Sequence, residues 1–306
     1  MRGSILYGHL ITLLTVSIWG TTFVSTKILL GHLTPVEILF YRFLIGYFAL
    51  FLLYPRTHKI KRPKEELLFF GLGLTGVLLY FMLENTALQF TLATNVGLLS
   101  GTVPILTAIV SHFFTNDEKF IRKHFWGFLV AIAGTAMVIF NAQVVLKLNP
   151  LGDFLALMAP LAWAFYSVLL KKIDQSYNPI YVTRKTFFYG LLTVIPIMIL
   201  QGADFIPKKT IALQLALNIG FLGLVASALC FVTWNKAVKI IGTIKASNYI
   251  YLVPLISMVT SILVLNEKVT SLAVAGGFLI LTGVYISERG LKTEWLNARR
   301  IVEKNG

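Results

Sequence analysis

A chain of 306 residues, 57% hydrophobic and 13% charged with a mean hydropathy of +0.78, carries more apolar surface than a water-soluble fold can bury. The composition excludes a soluble globular protein and indicates a protein of the lipid bilayer. A single cysteine, Cys230, excludes a disulfide framework and any multi-cysteine metal site. The net charge of +14 is spread over short loops and a tail, so no nucleic-acid partner is expected.

Apolar segments of about the length that crosses a hydrocarbon core as a helix follow one another along the chain. They lie at residues 7–29, 34–54, 67–90, 92–114, 125–141, 151–170, 180–201, 213–234, 243–265 and 271–286. The first has no small-residue cleavage site and leads straight into another span, so it is predicted to be retained and not to be a signal peptide. The sequence therefore predicts an all-α integral membrane protein with ten transmembrane helices.

The segments form two copies of one five-helix pattern, because particular residues recur at constant offsets. The recurring pairs are Trp19 and Trp163, Lys27 and Lys171, Asn85 and Asn235, Pro104 and Pro254, Gly127 and Gly276, and Gly134 and Gly283. The first two pairs are 144 residues apart, the next two 150 and the last two 149. We interpret the chain as two homologous repeats at residues 1–143 and 144–288, followed by a basic cytoplasmic tail at residues 289–306.

The distribution of lysine and arginine predicts the orientation, since cytoplasmic loops retain these residues. With both termini inside, nineteen of the 27 basic residues fall on the inner side, five on the outer side and three within spans. An odd number of helices per repeat then makes the second repeat inverted relative to the first. We expect a multi-pass protein of the cell's inner or plasma membrane with both termini cytoplasmic.

A search for catalytic or cofactor-binding patterns identifies none. The histidines have no acidic or thiol partners at metal-ligand spacing, and no GxxxxGK[ST] loop is present. The Gly71-Leu72-Gly73 stretch lacks the preceding strand that a dinucleotide-binding fingerprint requires. The sequence therefore predicts no enzyme, no metal site and no cofactor.

The predicted spans contain polar and aromatic side chains at matching places in the two repeats. Polar groups in hydrocarbon need a partner or a water-filled cavity, so these helix faces are predicted to point inward. The candidate substrate-pathway residues are Trp19, Tyr80, Glu84, Asn85, Asn95, Thr102, Trp163, Tyr166, Trp234, Asn235, Asn248 and Tyr251. Hydrogen bonding between helices is the alternative for the polar residues, and core packing is the alternative for the aromatic ones.

Pro104 and Pro254 each remove a backbone hydrogen bond within the predicted fourth and ninth helices. One interpretation is a kink that only serves packing. The other is that this matched pair of weakened helices marks the moving, substrate-facing part of an inverted-repeat carrier.

Glu84 is the one acidic residue that the sequence places well within a span. An isolated carboxylate there costs several kcal/mol, so it should be protonated, paired or hydrated. Counted from the outer helix ends at about 1.5 Å per residue, Glu84 lies about 9 Å deep and Arg42 about 12 Å deep. One interpretation is therefore a structural Glu84–Arg42 charge pair. The other is a cavity-facing carboxylate that exchanges a proton or contacts a substrate amine.

These features resemble the EamA domains of the drug/metabolite transporter superfamily over about residues 5–287. Each repeat has a tryptophan early in its first helix, an Ala-Leu or Ala-Val dipeptide ending its third, and a small-residue run leading to a proline and a closing glutamate. The residues concerned are Trp19, Ala87-Leu88, Pro104 and Glu118, and Trp163, Ala237-Val238, Pro254 and Glu267. The second repeat departs from the pattern with Lys245 and Tyr249-Ile250-Tyr251, where small residues are usual.

The resemblance implies a secondary carrier of small metabolites, often an exporter of amino acids or related compounds, working by alternating access. Helices one, three, four, six, eight and nine would line the pathway, while peripheral helices five and ten would contact a second copy in a homodimer. The implied partners are a small-molecule substrate, the lipid bilayer, and a proton or substrate gradient. A carrier of lipid-linked or nucleotide-linked sugars and a membrane-embedded enzyme are the alternatives.

The inverted topology predicts opposite labelling of two loop positions. Single cysteines replacing Lys61 and Lys147, in a chain lacking Cys230, should react with an impermeant thiol reagent from opposite sides of the membrane. Labelling of both from the same side would contradict the inverted repeat.

Overall fold

A computed structural model describes residues 2–58, 63–90, 96, 99–116, 120–140, 149–206, 213–256, 259 and 270–289. Every regular element within these ranges is helical. Among the described residues, six helices are long and apolar enough to cross a membrane, and two shorter helices are apolar. Parts of the predicted fourth and ninth spans, including Asn95, lie outside the described residues, so the count of ten spans stays a prediction.

The helices follow the predicted segments in order. We number them α1 (Arg2–Leu30), α2 (Pro35–Leu53), α3 (Pro63–Phe90), α4 (Val103–Phe114), α5 (Arg122–Phe140), α6 (Pro150–Lys171), α7 (Pro179–Gln201), α8 (Leu213–Ile241), α9 (Thr243–Asn248) and α10 (Ser271–Arg289). A 3-10 turn at Tyr249–Leu252 continues α9.

Side chains just before three helices explain where those helices begin. Thr34 and Glu37 form a reciprocal capping box at the start of α2, while Asn149 and Asn178 cap α6 and α7. Each of these helices has a proline in its first turn, where the missing N–H breaks no helical hydrogen bond.

Helices α3 and α8 each contain a π-helical segment that the sequence analysis did not predict. The segments are Leu74–Leu79 in α3 and Phe221–Leu229 in α8. Such π-helical segments are rare in proteins, and many of those that occur lie at functional sites. Here they lie directly before Tyr80 and Cys230, so they set the direction in which the second part of each helix presents its side chains.

The two halves of the chain are interleaved. Extensive contacts join α1 to α8, α2 to α7, and α3 to α6, so each of the first three helices packs on a helix from residues 144–288. Glycines permit the closest approaches: a Cβ on Gly76 would lie 2.3 Å from the Tyr166 ring. Aromatic and aliphatic side chains of these helices form one large buried cluster between the halves.

Helices α5 and α10 pack against each other through the four recurring glycines. A Cβ on Gly134 would lie 2.6 Å from the Gly276 carbonyl oxygen, and one on Gly283 would lie 2.7 Å from the Gly127 carbonyl oxygen. Because lipid tails supply no hydrophobic drive for helix association, small residues and close backbone contact are what stabilise such a pair. The recurrence of these glycines thus has a packing cause.

The close contact predicts that a single methyl group weakens the α5–α10 pair. Gly134→Ala should lower the thermal unfolding midpoint in detergent, because overpacking typically costs about 1–3 kcal/mol and exceeds the gain in helix propensity. Gly220→Ala is the matched control, since nothing lies within 4 Å of a Cβ at that helical position. Equal midpoints for Gly134→Ala and wild type would contradict the observed contact.

Candidate functional site

Tryptophans from both halves meet at the centre of the helix bundle. The Trp19 ring centroid lies 5.3 Å from that of Trp163 and 5.2 Å from that of Trp234. Tyr80 and Tyr166 adjoin Trp163 at 5.1 and 4.9 Å. We call these five side chains the aromatic cluster. The structure therefore brings together all five predicted aromatic residues of α1, α3, α6 and α8.

A small cavity of about 60 Å³ lies beside the aromatic cluster. Its lining residues are Trp19, Thr22, Arg42, Tyr80, Phe81, Glu84, Ser100, Val103, Trp163, Ile250 and Val253. The volume is far below that of typical ligand pockets, which is about 300–1,000 Å³. A metabolite can occupy this site fully only if the surrounding helices move apart. We call this space the central cavity.

Glu84 lines the central cavity with a carboxylate that is only partly satisfied. The Tyr80 hydroxyl and the Arg42 guanidinium both interact with this carboxylate. Its Oε2 atom is buried and has no hydrogen-bond partner among the described residues. In a low-dielectric interior an unpartnered carboxylate oxygen is costly, so it favours a ligand or water at this position.

Arg42 lines the same cavity from α2 and is fixed by two kinds of contact. Its Nε–H donates to the Ser227 hydroxyl at 2.9 Å, within the π-helical segment of α8. Its guanidinium carbon lies 4.3 Å from the Phe81 ring centroid. Both members of the predicted Glu84–Arg42 charge pair thus reach one cavity, while a direct ion pair stays a prediction.

The matched asparagines have different environments in the two halves. Asn235 accepts a hydrogen bond from the Tyr166 hydroxyl at 2.6 Å and donates one to Thr183 at 2.9 Å, which joins α6, α7 and α8. Asn85 is buried, and its Nδ2 has no partner within the described part of the chain. Asn235 therefore has the predicted alternative role of linking helices in this conformation.

A larger cavity of about 630 Å³ has Asn235 among its lining residues. It is bounded by the end of α6, the start of α7 and the end of α8, and its lining includes Lys171, Asp174, Tyr177 and Lys239. Burial and the neighbouring Glu65 carboxylate, which accepts its hydroxyl hydrogen at 2.8 Å, raise the pKa of Tyr177 to about 12. The phenol at this cavity therefore stays a hydrogen-bond donor over the physiological pH range.

Two other predicted pathway residues, Asn248 and Tyr251, do not line the central cavity. Asn248 accepts a hydrogen bond from Ser287 of α10 at 3.0 Å, and Tyr251 packs in a cluster with Ala131, Val138 and Ile280 of α5 and α10. The 3-10 turn changes the angular spacing of side chains, so Ile250 and Val253 line the central cavity instead.

Both predicted kink prolines follow an irregular turn of the backbone. Pro104 occupies the first turn of α4 after a turn at residues 101–102, and Pro254 follows the 3-10 turn of α9. Thr102 precedes α4 and donates its hydroxyl to the Leu99 carbonyl, while its neighbours Ser100 and Val103 line the central cavity. Each proline therefore begins a helical stretch next to a cavity-lining residue.

Several residues that line the central cavity were not among the predicted pathway residues. They are Thr22, Phe81, Ser100, Ile250 and Val253. The small residues around position 100 were the available cue for the turn before α4. Within the described residues no group of three or more His, Cys, Asp or Glu side chains could hold a metal ion.

Comparisons with known proteins identify transporters along nearly the whole chain. The EamA-like transporter family matches residues 6–140 and 150–288. An uncharacterized transporter of Archaeoglobus fulgidus is 28% identical, covering 91% of this chain and 96% of its own. A probable amino-acid metabolite efflux pump of Salmonella typhimurium is 27% identical, with coverages of 92% and 95%, and one of Escherichia coli (strain K12) is 26% identical, with coverages of 95% and 97%.

A crystal structure that is 20% identical superimposes with a TM-score of 0.75 and covers 92% of this chain and 98% of its own. At this level of identity, the likeness shows the fold alone.

The position of Trp163 predicts a change in selectivity on conservative substitution. Trp163→Phe keeps an aromatic ring but reshapes the central cavity, so it should alter transport selectivity while expression and thermal stability stay near wild type. Trp126→Phe, at an exposed position on α5, is the matched control. A parallel loss of stability and of all transport in Trp163→Phe would indicate that the ring serves packing.

Proposed function

Because the chain belongs to the EamA-like transporter family, we propose that it is a secondary carrier that exports small metabolites, such as amino acids or related compounds. The family and its named relatives are transporters and not enzymes. The single observation that carries the proposal is the central cavity, where side chains from both halves of the chain surround a buried carboxylate and a guanidinium.

We propose a ten-helix architecture of two inverted five-helix repeats at residues 1–143 and 144–288, with a basic tail at residues 289–306. The reciprocal packing of α1 on α8, α2 on α7 and α3 on α6 supports this arrangement, since an in-plane two-fold axis requires such exchanged pairs. We place both termini in the cytoplasm and the chain in the inner or plasma membrane, because of its basic loops.

Alternating access explains why the two cavities are separated. Asn235 lines the larger cavity, and its hydrogen-bond partner Tyr166 packs against Trp163, which lines the central cavity. The turn before Pro104 and the 3-10 turn before Pro254 supply backbone positions at which the cavity-lining helices can bend. We propose that a proton or substrate gradient drives the cycle, and that the outer faces of α5 and α10 contact a second copy.

An amino acid requires less movement of the helices around the central cavity than the substrates of the alternative sugar carriers. The cavity has a volume of about 60 Å³, and an amino acid is smaller than a lipid-linked or nucleotide-linked sugar. Two relatives are named as probable amino-acid metabolite efflux pumps, which supports the same substrate class.

Counterflow in proteoliposomes tests the proposed function. Vesicles containing the purified protein and preloaded with an unlabelled amino acid should accumulate the labelled amino acid well above protein-free vesicles. The label should be recovered chemically unchanged, because a carrier makes and breaks no covalent bond. A covalently altered label would indicate an enzyme, and flux of nucleotide-linked sugars without flux of amino acids would indicate the alternative carrier.

A further inference from the structure

Among the described residues, the charged groups that line the central cavity both come from the first half of the chain. Glu84 is 9% exposed and Arg42 is 3% exposed, and both line the central cavity. The positions that match them at the repeat offsets of 150 and 144 residues hold Trp234 and Thr186. Recognition of substrate charge is therefore assigned to α2 and α3, while the second half contributes indole and aliphatic surface.

The surroundings of Glu84 suit an ammonium group. The carboxylate has a buried Oε2 atom without a partner among the described residues. The rings of Trp19, Tyr80 and Trp163 line the same cavity. Aromatic faces attract cations most strongly where water is excluded, and an ammonium group can also donate to the carboxylate. A cation near these three rings would therefore be stabilised by both contacts.

The surroundings of Arg42 suit an acidic group. Its Nε–H is used by Ser227 and its plane is held near the Phe81 ring, which fixes the direction of the guanidinium. A guanidinium has five N–H donors in a rigid fork that matches the geometry of carboxylate, sulfonate or phosphonate oxygens. The donors not used by Ser227 can bind such a group without rotation of the side chain.

Charge balance decides which substrates satisfy both groups. When both groups are ionised, the charges of Glu84 and Arg42 in the substrate-free cavity cancel. A simple cation would add an unbalanced positive charge in a low-dielectric site, and a simple anion would add a negative one. A molecule carrying one ammonium and one acidic group inserts without changing the net charge.

We propose, on the basis of the proposed function, that the central cavity recognises both ends of a small zwitterion. Glu84 binds the ammonium group among the aromatic rings, and Arg42 binds the acidic group. The side chain of the substrate then faces the second half, near Trp163, Ile250 and Val253. Glu84 and Arg42 are thus specificity-determining residues for transport.

Derivatives that keep only one charged group of the substrate test the contacts of Glu84 and Arg42 separately. The probes are alanine and phenylalanine, each compared with its amide, which keeps only the ammonium, and its N-acetyl derivative, which keeps only the carboxylate. Binding is measured as thermal stabilisation of the detergent-solubilised protein over a concentration series. The wild type should bind each zwitterion at least about tenfold more tightly than either derivative, since each derivative leaves one buried charge unpaired.

Substitutions at the two residues should have opposite effects on the derivatives. Glu84→Gln should weaken the zwitterion about tenfold and strengthen the N-acetyl derivative, because the variant loses the carboxylate that repels this anion and keeps Arg42 as its partner. Arg42→Gln should weaken the zwitterion and strengthen the amide, because the variant loses the guanidinium that repels this cation. Glu37→Gln and Arg184→Gln are matched controls, since these side chains are 9% and 5% exposed but lie outside the central cavity, and they should keep the wild-type order.

The proposal is overturned if either derivative binds as well as its zwitterion, or if both cavity variants weaken all three forms equally. Counterflow measured in parallel separates this result from failure of the proposed function, because transport would then persist without the two-ended preference. Absence of flux for every small metabolite would overturn the proposed function itself. If a cavity variant does not fold, the comparison of the three forms in the wild type decides the matter.

Discussion

Hydrocarbon offers no hydrogen-bond partners, and this constraint determines how the structure arranges every polar group in its spans. Most described polar side chains have a hydrogen-bond partner within the protein. Threonines return their hydroxyls to carbonyls of the preceding turn, as Thr12 does to Gly8 at 2.7 Å. Arg184 donates to the carbonyl of Arg56 at 3.0 Å, beyond the end of α2. These groups are satisfied within the protein and need no ligand.

Exceptions to this rule include residues of the aromatic cluster and its neighbours. Buried atoms without a partner among the described residues include Glu84 Oε2, Asn85 Nδ2 and the indole nitrogens of Trp163 and Trp234, and also serine and threonine hydroxyls that do not line the central cavity. A protein that only needed stability would gain by pairing or removing these groups. Glu84 and Trp163 line the central cavity, and the ionisable group of Glu84 is the physical reason for assigning the substrate to that place. The same argument does not apply to Asn235, whose amide is bound at both ends.

Sequence reasoning predicted the positions of the tryptophans and of the two charged residues better than the directions of the side chains that follow α8. The sequence could predict that Trp19, Trp163 and Trp234 lie close together, because a repeat with constant offsets fixes which helix faces correspond. Glu84 and Arg42 could be assigned similar depths because helical rise is uniform. The directions of Asn248 and Tyr251 could not be predicted, since the 3-10 turn changes the spacing there. The π-helical segments likewise carry no periodic signal, and their partners come from distant helices.

Protection of a cavity position by substrate tests most directly the claim that the central cavity holds the transported molecule. Ser100 lines the cavity on the turn before α4, and Ser100→Cys in a chain with Cys230→Ala provides one thiol at that place. The rate of its reaction with a small thiol reagent, measured with and without a saturating amino acid, should fall at least severalfold in the presence of the amino acid. An unchanged rate at saturation, with transport intact, would contradict the assignment of the substrate to this cavity.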